Sequence, residues 1–156
     1  VYFILCGANI SEENKELVGW INEAGIGAHC RLLGVREDMP RITAALDVAS
    51  STSSYGEGFP IVLGEAMACG VPCVVTDVGD SALIVDLFGR VVAAQDAQSL
   101  AKAWEEILQL SRDQRAQLGQ AARYRIEQNY SLPVIVKRYE NLYRDVVALQ
   151  EMPLNT

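Results

Sequence analysis

Two glutamates with seven residues between them, on either side of a proline, are the residues of this sequence best suited to chemistry. Glu57 lies in the segment Gly-Glu-Gly-Phe-Pro, where Gly56 and Gly58 are expected to let the backbone bend tightly and approach a ligand closely. Pro60 suits the first turn of a helix, where its missing N–H costs nothing. The amides left free at the helix start, beside the positive end of its dipole, form an anion site suited to a phosphate. These are the amides of Phe59, Ile61 and Val62.

Glu65 belongs to the helix expected over residues 61–69, which is apolar almost all round. At ~100° per residue it falls between Ile61 and Cys69, so it has no polar face to share. A carboxylate there is costly to bury unless hydroxyls or amides satisfy it, and vicinal sugar hydroxyls would do so. Two other readings stay open from spacing alone. Glu57 would then be a helix-start charge, and Glu65 would line a water-filled groove.

The elements that must position these residues alternate between short apolar runs and helical stretches. Strands are expected at 1–6, 30–33, 47–52, 72–76 and 90–93, and helices at 11–24, 38–46, 61–69, 97–110, 112–128 and 131–149, followed by a frayed tail from Glu151. Ser11 is expected to cap the first of these helices. The strands are nearly continuous in apolar residues, which is typical of a parallel sheet covered on both faces. The prediction is an α/β fold with a Rossmann-like doubly wound parallel sheet, followed by C-terminal helices.

The composition limits the number of domains and the kinds of partner and site that fit this sequence. The 156 residues suit a single domain, and the net charge of −7, from 13 basic and 20 acidic residues, argues against a nucleic-acid partner. The four cysteines form no C-x-x-C pair and accompany one histidine, which argues against a zinc site. Reduced cysteines fit a cytoplasmic setting. Peripheral attachment to the inner membrane face would then depend on a domain outside this sequence.

A longer segment carries a family resemblance. The letters GEGFPIVLGEAMACGVPCVVTDVG closely resemble the signature of retaining glycosyltransferases of family 4, which have the GT-B fold. The flanking letters LGVREDMP and DSA agree with it. The chain is also similar to the bacterial members that build polysaccharides, lipopolysaccharide or glycolipids. The resemblance implies a nucleotide-sugar donor domain over residues 1–156. The enzyme it implies transfers a sugar from a nucleoside diphosphate with retained configuration, without a metal or another cofactor.

The resemblance also implies roles for the residues of the central segment. Glu57 matches the first glutamate of the family, which faces the donor sugar and the reacting centre. Glu65 matches the second glutamate, which binds the ribose hydroxyls. The family's intervening turn touches sugar hydroxyls through its backbone, and here it consists of Gly58, Phe59 and Pro60.

Further positions match the parts of the family that surround the nucleotide. Ile61 and Val62 match positions whose amides hold the distal phosphate. Val35 and Arg36 match the loop beside the base, where backbone groups read the edge of the base. Gly7 matches a glycine that ends a strand near the nucleotide.

The family has an acceptor domain and a first strand–helix unit before the point that Val1 matches, and the loop of that unit carries an Arg and a Lys. The chain is therefore predicted to be a fragment that lacks both, has no transferase activity by itself and binds nucleotide weakly. Its sheet is expected to lack a middle strand. Three solutions are open: a rearranged strand order, a strand from a second chain, or further residues of the same protein.

The expected partners are a nucleotide sugar, the missing N-terminal domain and a second copy of the chain. In the family the last helix crosses onto the other domain, so the resemblance implies that here this helix exposes an apolar stripe. The stripe and a sheet edge are candidate homodimer contacts, and the residues of the stripe are Val134, Val136, Tyr139, Leu142 and Val146. Trp20 and Trp104 are expected to pack on the sheet. Two alternatives to a transferase remain, a GT-B nucleotide-sugar epimerase and a non-catalytic nucleotide-binding or assembly module.

Overall fold

A computed structural model of the chain describes residues 1–150, so the tail expected to fray from Glu151 lies outside the described residues. The chain divides into two compact units, Val1–Met39 and the part from Pro40 onward. Each unit contains its own parallel sheet.

The first unit is a strand–helix–strand arrangement. Its elements are β1 (Phe3–Leu5), α1 (Lys15–Glu23), a 3-10 turn (Gly27–His29) and β2 (Cys30–Leu32). The two strands are parallel, with Phe3 opposite Cys30 and Leu5 opposite Leu32. A further backbone hydrogen bond of 2.9 Å, from the amide of Leu33 to the carbonyl of Leu5, extends the pairing to the end of β1.

Two expectations for the helix of this unit are wrong. Asn14, not Ser11, is the N-cap of α1, because its side-chain oxygen accepts a hydrogen bond of 3.1 Å from the amide of Leu17. Ser11 instead forms a turn in which its carbonyl accepts from the amide of Asn14. Trp20 does not pack on the sheet: it is 59% exposed.

From Met39 onward the described residues form three strands and six α-helices. They are α2 (Met39–Ala44), β3 (Ala49–Ser51), α3 (Ile61–Ala68), β4 (Cys73–Thr76), α4 (Ser81–Val85), β5 (Gly89–Val92), α5 (Ala97–Gln109), α6 (Arg112–Asn129) and α7 (Leu132–Gln150). The strands are parallel in the order β3–β4–β5. The central strand β4 is buried along its whole length, as its continuous apolar sequence predicts.

Both faces of β4 are covered by helices, because successive side chains of a strand point to opposite faces. Cys73 and Val75 belong to one buried cluster with residues of α3, α4 and α6. Val74 belongs to another with Ala103 and Ile107 of α5, against which Trp104 also packs, as expected. The α/β class, with parallel sheets, flanking helices and C-terminal helices, is therefore confirmed.

One of the three solutions expected for the missing middle strand, a rearranged strand order in one sheet, is wrong. The strands do not close up into one rearranged sheet: the described residues form a two-stranded and a three-stranded sheet.

An additional short helix, α4, and a 3-10 turn at Asp86–Phe88 were not predicted from the sequence. Arg125 of α6 stabilises this region, because it donates 2.9 Å to the carbonyl of Ile84 and pairs with Asp86 at 2.9 Å. A five-residue helix held by a distant arginine leaves no periodic signal in the sequence.

The last helix, α7, exposes the apolar stripe that the sequence predicts, with one exception. Val136, Tyr139, Leu142 and Val146 are exposed, whereas Val134 is half-buried. Among the helices of residues 1–150, none combines the length and apolar character needed to cross a bilayer. The homodimer contact stays a prediction.

Candidate functional site

The turn that leads into α3 is the centre of the candidate site, and we call residues 53–60 the Glu57 turn. Gly56 has a φ of +82°, a left-handed conformation in which a side chain is strained, so the predicted need for glycine is confirmed there. Gly58 has no such φ, but open space surrounds the position of an added Cβ. Pro60 is buried and is the N-cap of α3, one position before the first helical turn where it was expected. The Phe59 ring contacts the Tyr130 ring, with centroids 5.5 Å apart.

The helix start leaves backbone donors without acceptors. Within residues 1–150, no hydrogen bond is donated by the amides of Phe59, Ile61 and Val62. The first bonded amide of the helix is that of Leu63, which donates to the carbonyl of Pro60 at 3.1 Å. The first turn of α3 also contains no acidic side chain that would neutralise the dipole. This arrangement can bind an anionic oxygen, as the sequence predicts.

The Glu57 turn is held in place by the residues that follow β4. The hydroxyl of Thr76, at the end of β4, donates to the carbonyl of Ser53 at 2.7 Å. Four residues later, the amide of Asp80 donates to the carbonyl of Gly58 at 2.8 Å. Between them, Gly79 has a φ of +58°, and a Cβ there would overlap the carbonyl oxygens of Glu57 and Gly58. The sequence analysis missed this support, because the contacts join segments more than twenty residues apart.

Glu57 is half-buried, and its carboxylate is oriented by a neighbour in the same turn. The hydroxyl of Ser53 donates to Oε1 of Glu57 at 2.6 Å. This distance is typical of a charge-assisted hydrogen bond to a carboxylate. The carboxylate thus has one oxygen engaged by the protein and keeps acceptor capacity for a ligand.

Glu65 lies on the exposed side of α3, so the premise that it would be costly to bury is wrong. Leu63, Ala66 and Met67 form the buried side of the helix. On the other side Ile61 is 67% exposed and Val62 is 59% exposed, beside Glu65. The apolar composition of α3 did not reveal which side the fold covers. Glu65 makes no side-chain hydrogen bond or ion pair within residues 1–150.

The remaining predicted site residues, Gly7, Val35 and Arg36, belong to the first unit. Gly7 follows β1 with a φ of +144°. Its amide donates to the carbonyl of Gly34 at 2.9 Å, and the amide of Gly34 donates to the carbonyl of Ile10 at 2.9 Å. These two bonds bring the loop after β1 beside the loop after β2, which contains Val35 and Arg36.

Arg36 is engaged by an acidic neighbour. Its Nε donates to Oδ1 of Asp38 at 2.8 Å, and its NH2 group donates to Oδ2 at 2.9 Å. The hydrogen bond holds the pKa of Asp38 below its usual value and raises the pKa of Arg36. An open depression of about 390 Å³ is lined by Val35, Arg36, Glu37 and Asp38. The guanidinium of Arg36 is thus already engaged by a carboxylate of the protein.

Two other arginines have partners within their own units. Arg31 lies in β2, donates to the carbonyls of Ala28 and Cys30, and stacks on Tyr2. Arg90 pairs with Glu106 at 3.0 Å. Both guanidinium groups are therefore already engaged by the protein.

The chain is similar to one known protein family over most of its length. The sequence profile described as Glycosyl transferases group 1 matches residues 1–125. An exopolysaccharide phosphotransferase of Streptomyces coelicolor, SCO2592, is 31% identical over 139 residues, which cover 83% of this chain and 14% of that protein. The N-acetyl-alpha-D-glucosaminyl L-malate synthase of Bacillus anthracis is 31% identical over 119 residues, which cover 74% of this chain and 30% of that protein. The chain therefore spans less than a third of the length of these two curated relatives.

A solved structure is similar over nearly the whole chain. The crystal structure of Anabaena Alr3699/HepE in complex with UDP matches with a TM-score of 0.82 and 28% identity, over 93% of this chain and 41% of that one. The structure of the same protein in complex with UDP-glucose matches with a TM-score of 0.80. These matches agree with the predicted fold.

Proposed function

The chain belongs to the group 1 glycosyl transferases, and we propose that it is the donor-binding domain of a retaining glycosyltransferase whose donor is a nucleoside diphosphate sugar. The observation that carries this proposal is the start of α3. Unbonded amides and the helix dipole lie there directly after a turn that presents a carboxylate, Glu57. The UDP and UDP-glucose complexes of a similar protein support this donor class.

The proposed reaction transfers the sugar by breaking the bond between its anomeric carbon and the diphosphate. The electron pair of that bond stays on the phosphate oxygen, where negative charge develops. The amides of Ile61 and Val62 donate to the distal phosphate, and the dipole of α3 stabilises the added charge. The acceptor hydroxyl bonds to the anomeric carbon, and its proton goes to the departing phosphate oxygen. In this proposal amide donors, and no metal ion, stabilise the negative charge of the departing diphosphate.

The two glutamates act on different sugars of the donor, which are the transferred sugar and the ribose of the nucleotide. Glu57 faces the donor sugar, where its negative charge stabilises the positive charge that develops at the anomeric carbon. The backbone at Gly58, Phe59 and Pro60 contacts sugar hydroxyls, and the open space at Gly58 gives the sugar access to the chain. Glu65 accepts hydrogen bonds from the ribose hydroxyls, which suits an exposed carboxylate free of protein partners.

The first unit supplies the base contacts in this proposal. The loop with Val35 and Arg36 reads the edge of the base through its backbone, and Gly7 allows a close approach of the nucleotide. The acceptor is bound by a further domain of the gene product, as the fraction of the relatives that the chain spans suggests. We place the reaction in polysaccharide, lipopolysaccharide or glycolipid biosynthesis.

The test uses the full-length gene product and two measurements. The first is calorimetric titration with UDP, GDP and ADP. The second is release of nucleoside diphosphate from the matching sugar nucleotides, with and without acceptors, in the wild type and in Glu57→Gln. We expect one nucleotide to bind best and Glu57→Gln to lower kcat by about 100-fold or more, because the carboxylate stabilises the transition state.

The alternatives give different results. Binding of a nucleotide with no release from any sugar nucleotide would indicate a non-catalytic binding module. A change in the stereochemistry of the nucleotide sugar without transfer would indicate an epimerase. No binding to any nucleotide at millimolar concentration would contradict the proposal and favour an assembly role.

A further inference from the structure

Ser53 makes a contact with the Glu57 carboxylate that the proposed reaction does not yet use. Its hydroxyl donates to Oε1 of Glu57 at 2.6 Å, across four residues of the same turn. Both residues are half-buried. Hydrogen bonds from a hydroxyl to a carboxylate are short and about twice as strong as those between neutral groups.

The backbone that carries Ser53 is itself fixed by the core. Thr76, only 5% exposed, donates its hydroxyl to the carbonyl of Ser53 at 2.7 Å. Thr76 ends β4, and β4 pairs in register with β3, whose last residue, Ser51, is opposite Val75. The backbone at Ser53 is therefore held by the central strand of the sheet.

The other end of the Glu57 turn is fixed as well. The amide of Asp80 donates to the carbonyl of Gly58, and Gly79 lies against the carbonyls of Glu57 and Gly58. With the backbone held on both sides, the remaining freedom of Glu57 is in the three torsions of its side chain. Only the Ser53 hydroxyl donates to this carboxylate among the described residues.

We propose that Ser53 is a positioning residue, which holds the Glu57 carboxylate at the reacting centre through its hydroxyl and is itself held by Thr76. This inference rests on the proposed function, because it assigns Ser53 to the site in which Glu57 acts. A misplaced catalytic group can cost about 100-fold in rate even when the group is still present. Ser53 would thus be required for the rate and not for binding of the nucleotide.

The experiment compares variants of the full-length gene product. We expect Ser53→Ala to lower kcat by about 10- to 100-fold, the usual effect of losing a hydrogen bond to a charged group. Ser53→Thr keeps the hydroxyl and should retain most of the rate. The dissociation constant of the nucleoside diphosphate, which lacks the sugar that Glu57 faces, should stay within about twofold. The matched control is Thr52→Ala, at an exposed position one residue earlier, with an expected rate close to the wild type.

The double variant Ser53→Ala with Glu57→Gln separates positioning from a structural role. If Ser53 acts through Glu57, the double variant is no slower than Glu57→Gln alone. A slow Glu57→Gln with a fast Ser53→Ala would overturn the role of Ser53 and leave the proposed function intact. Loss of nucleotide binding in Ser53→Ala would also overturn it, and so would rate losses of the two single variants that add up in the double variant. In both cases the role of the serine would be structural. A fast Glu57→Gln would overturn both.

Discussion

Glu57 and Glu65 stand on either side of the start of α3, yet the protein holds them in different ways. Glu57 is half-buried, accepts a hydrogen bond from Ser53 and lies in a turn fixed by Thr76 and by the residues after β4. Glu65 is exposed on a helical side with Ile61 and without a protein partner among the described residues. One carboxylate is positioned before any ligand arrives, whereas the other is free to take its partners from the ligand.

This difference fits what the two carboxylates are proposed to do. A group that acts on a transition state gains from being fixed in advance, since no reorganisation is then needed during the reaction. A group that only binds hydroxyls can be solvated in the free protein, because on binding it exchanges hydrogen bonds to water for hydrogen bonds to the ligand. In the proposed site the start of α3 therefore has a rigid side at Glu57, which would be catalytic, and an open side at Glu65, which would bind the ligand.

The strongest test of the rigid side is Gly79→Ala. The new Cβ would meet the backbone carbonyls of Glu57 and Gly58, and a positive φ adds strain, so we expect a loss of about 3 kcal/mol in the free energy of unfolding. The rate should fall as well, since the Glu57 turn must move. Urea unfolding followed by circular dichroism measures the first effect, and kcat measures the second.

The control for Gly79→Ala is a glycine of the Glu57 turn itself. Gly56 also has a positive φ, +82°, but nothing lies within 4 Å of its added Cβ. Gly56→Ala should therefore cost only the conformational strain of about 1 kcal/mol. Equal losses in the two variants would mean that the close contact at Gly79 does not hold the turn.

The open side is tested by Glu65→Ala with two ligands, the best-binding nucleoside diphosphate and its 2′,3′-dideoxy analogue. We expect Glu65→Ala to weaken the normal nucleotide by about 10- to 100-fold, because hydrogen bonds to a charged group are lost. It should hardly affect the analogue, which has no ribose hydroxyls to bind. Calorimetry in the full-length gene product measures both affinities.

Stability offers a control for this prediction. Glu65 is exposed and has no protein partner among the described residues, so Glu65→Ala should change the free energy of unfolding by no more than about 0.5 kcal/mol. Equal weakening of the two nucleotides would place Glu65 away from the ribose.

The sequence analysis identified the parts of the site that depend on local chemistry. A proline before an apolar helix predicts unbonded amides at its start, and Gly56 predicts a left-handed turn; both are confirmed. It did not identify the support from Thr76 and Gly79, because those contacts depend on the β3–β4 register and on the path of the next loop. Such information is not contained in any short stretch of sequence.

The errors have the same origin. Ser11 and Asn14 are both good helix caps, and the choice between them depends on the turn that follows β1, whose loop carries Asn9 at a φ of +61°. The environment of Glu65 was misjudged because the apolar residues of α3 do not say which side of the helix is covered. In each case the residue type was interpreted correctly and the tertiary neighbours decided the outcome.

The smallest expected effect concerns the core behind the rigid side. Burial of Cys73 in β4 raises the pKa of its thiol from 9.0 to about 12. Because the folded pKa is the higher one, this thiol's contribution to stability is complete below pH 9 and is lost as the pH rises toward 12. The free energy of unfolding of the wild type should therefore fall more steeply than that of Cys73→Ala, with a difference of about 1 kcal/mol accumulated between pH 9 and pH 10. Urea unfolding at both pH values measures this difference. If the free energy of unfolding fell equally with pH in the two proteins, water would reach the thiol of Cys73. The strand that supports Thr76 would then be packed too loosely to keep the Glu57 turn rigid.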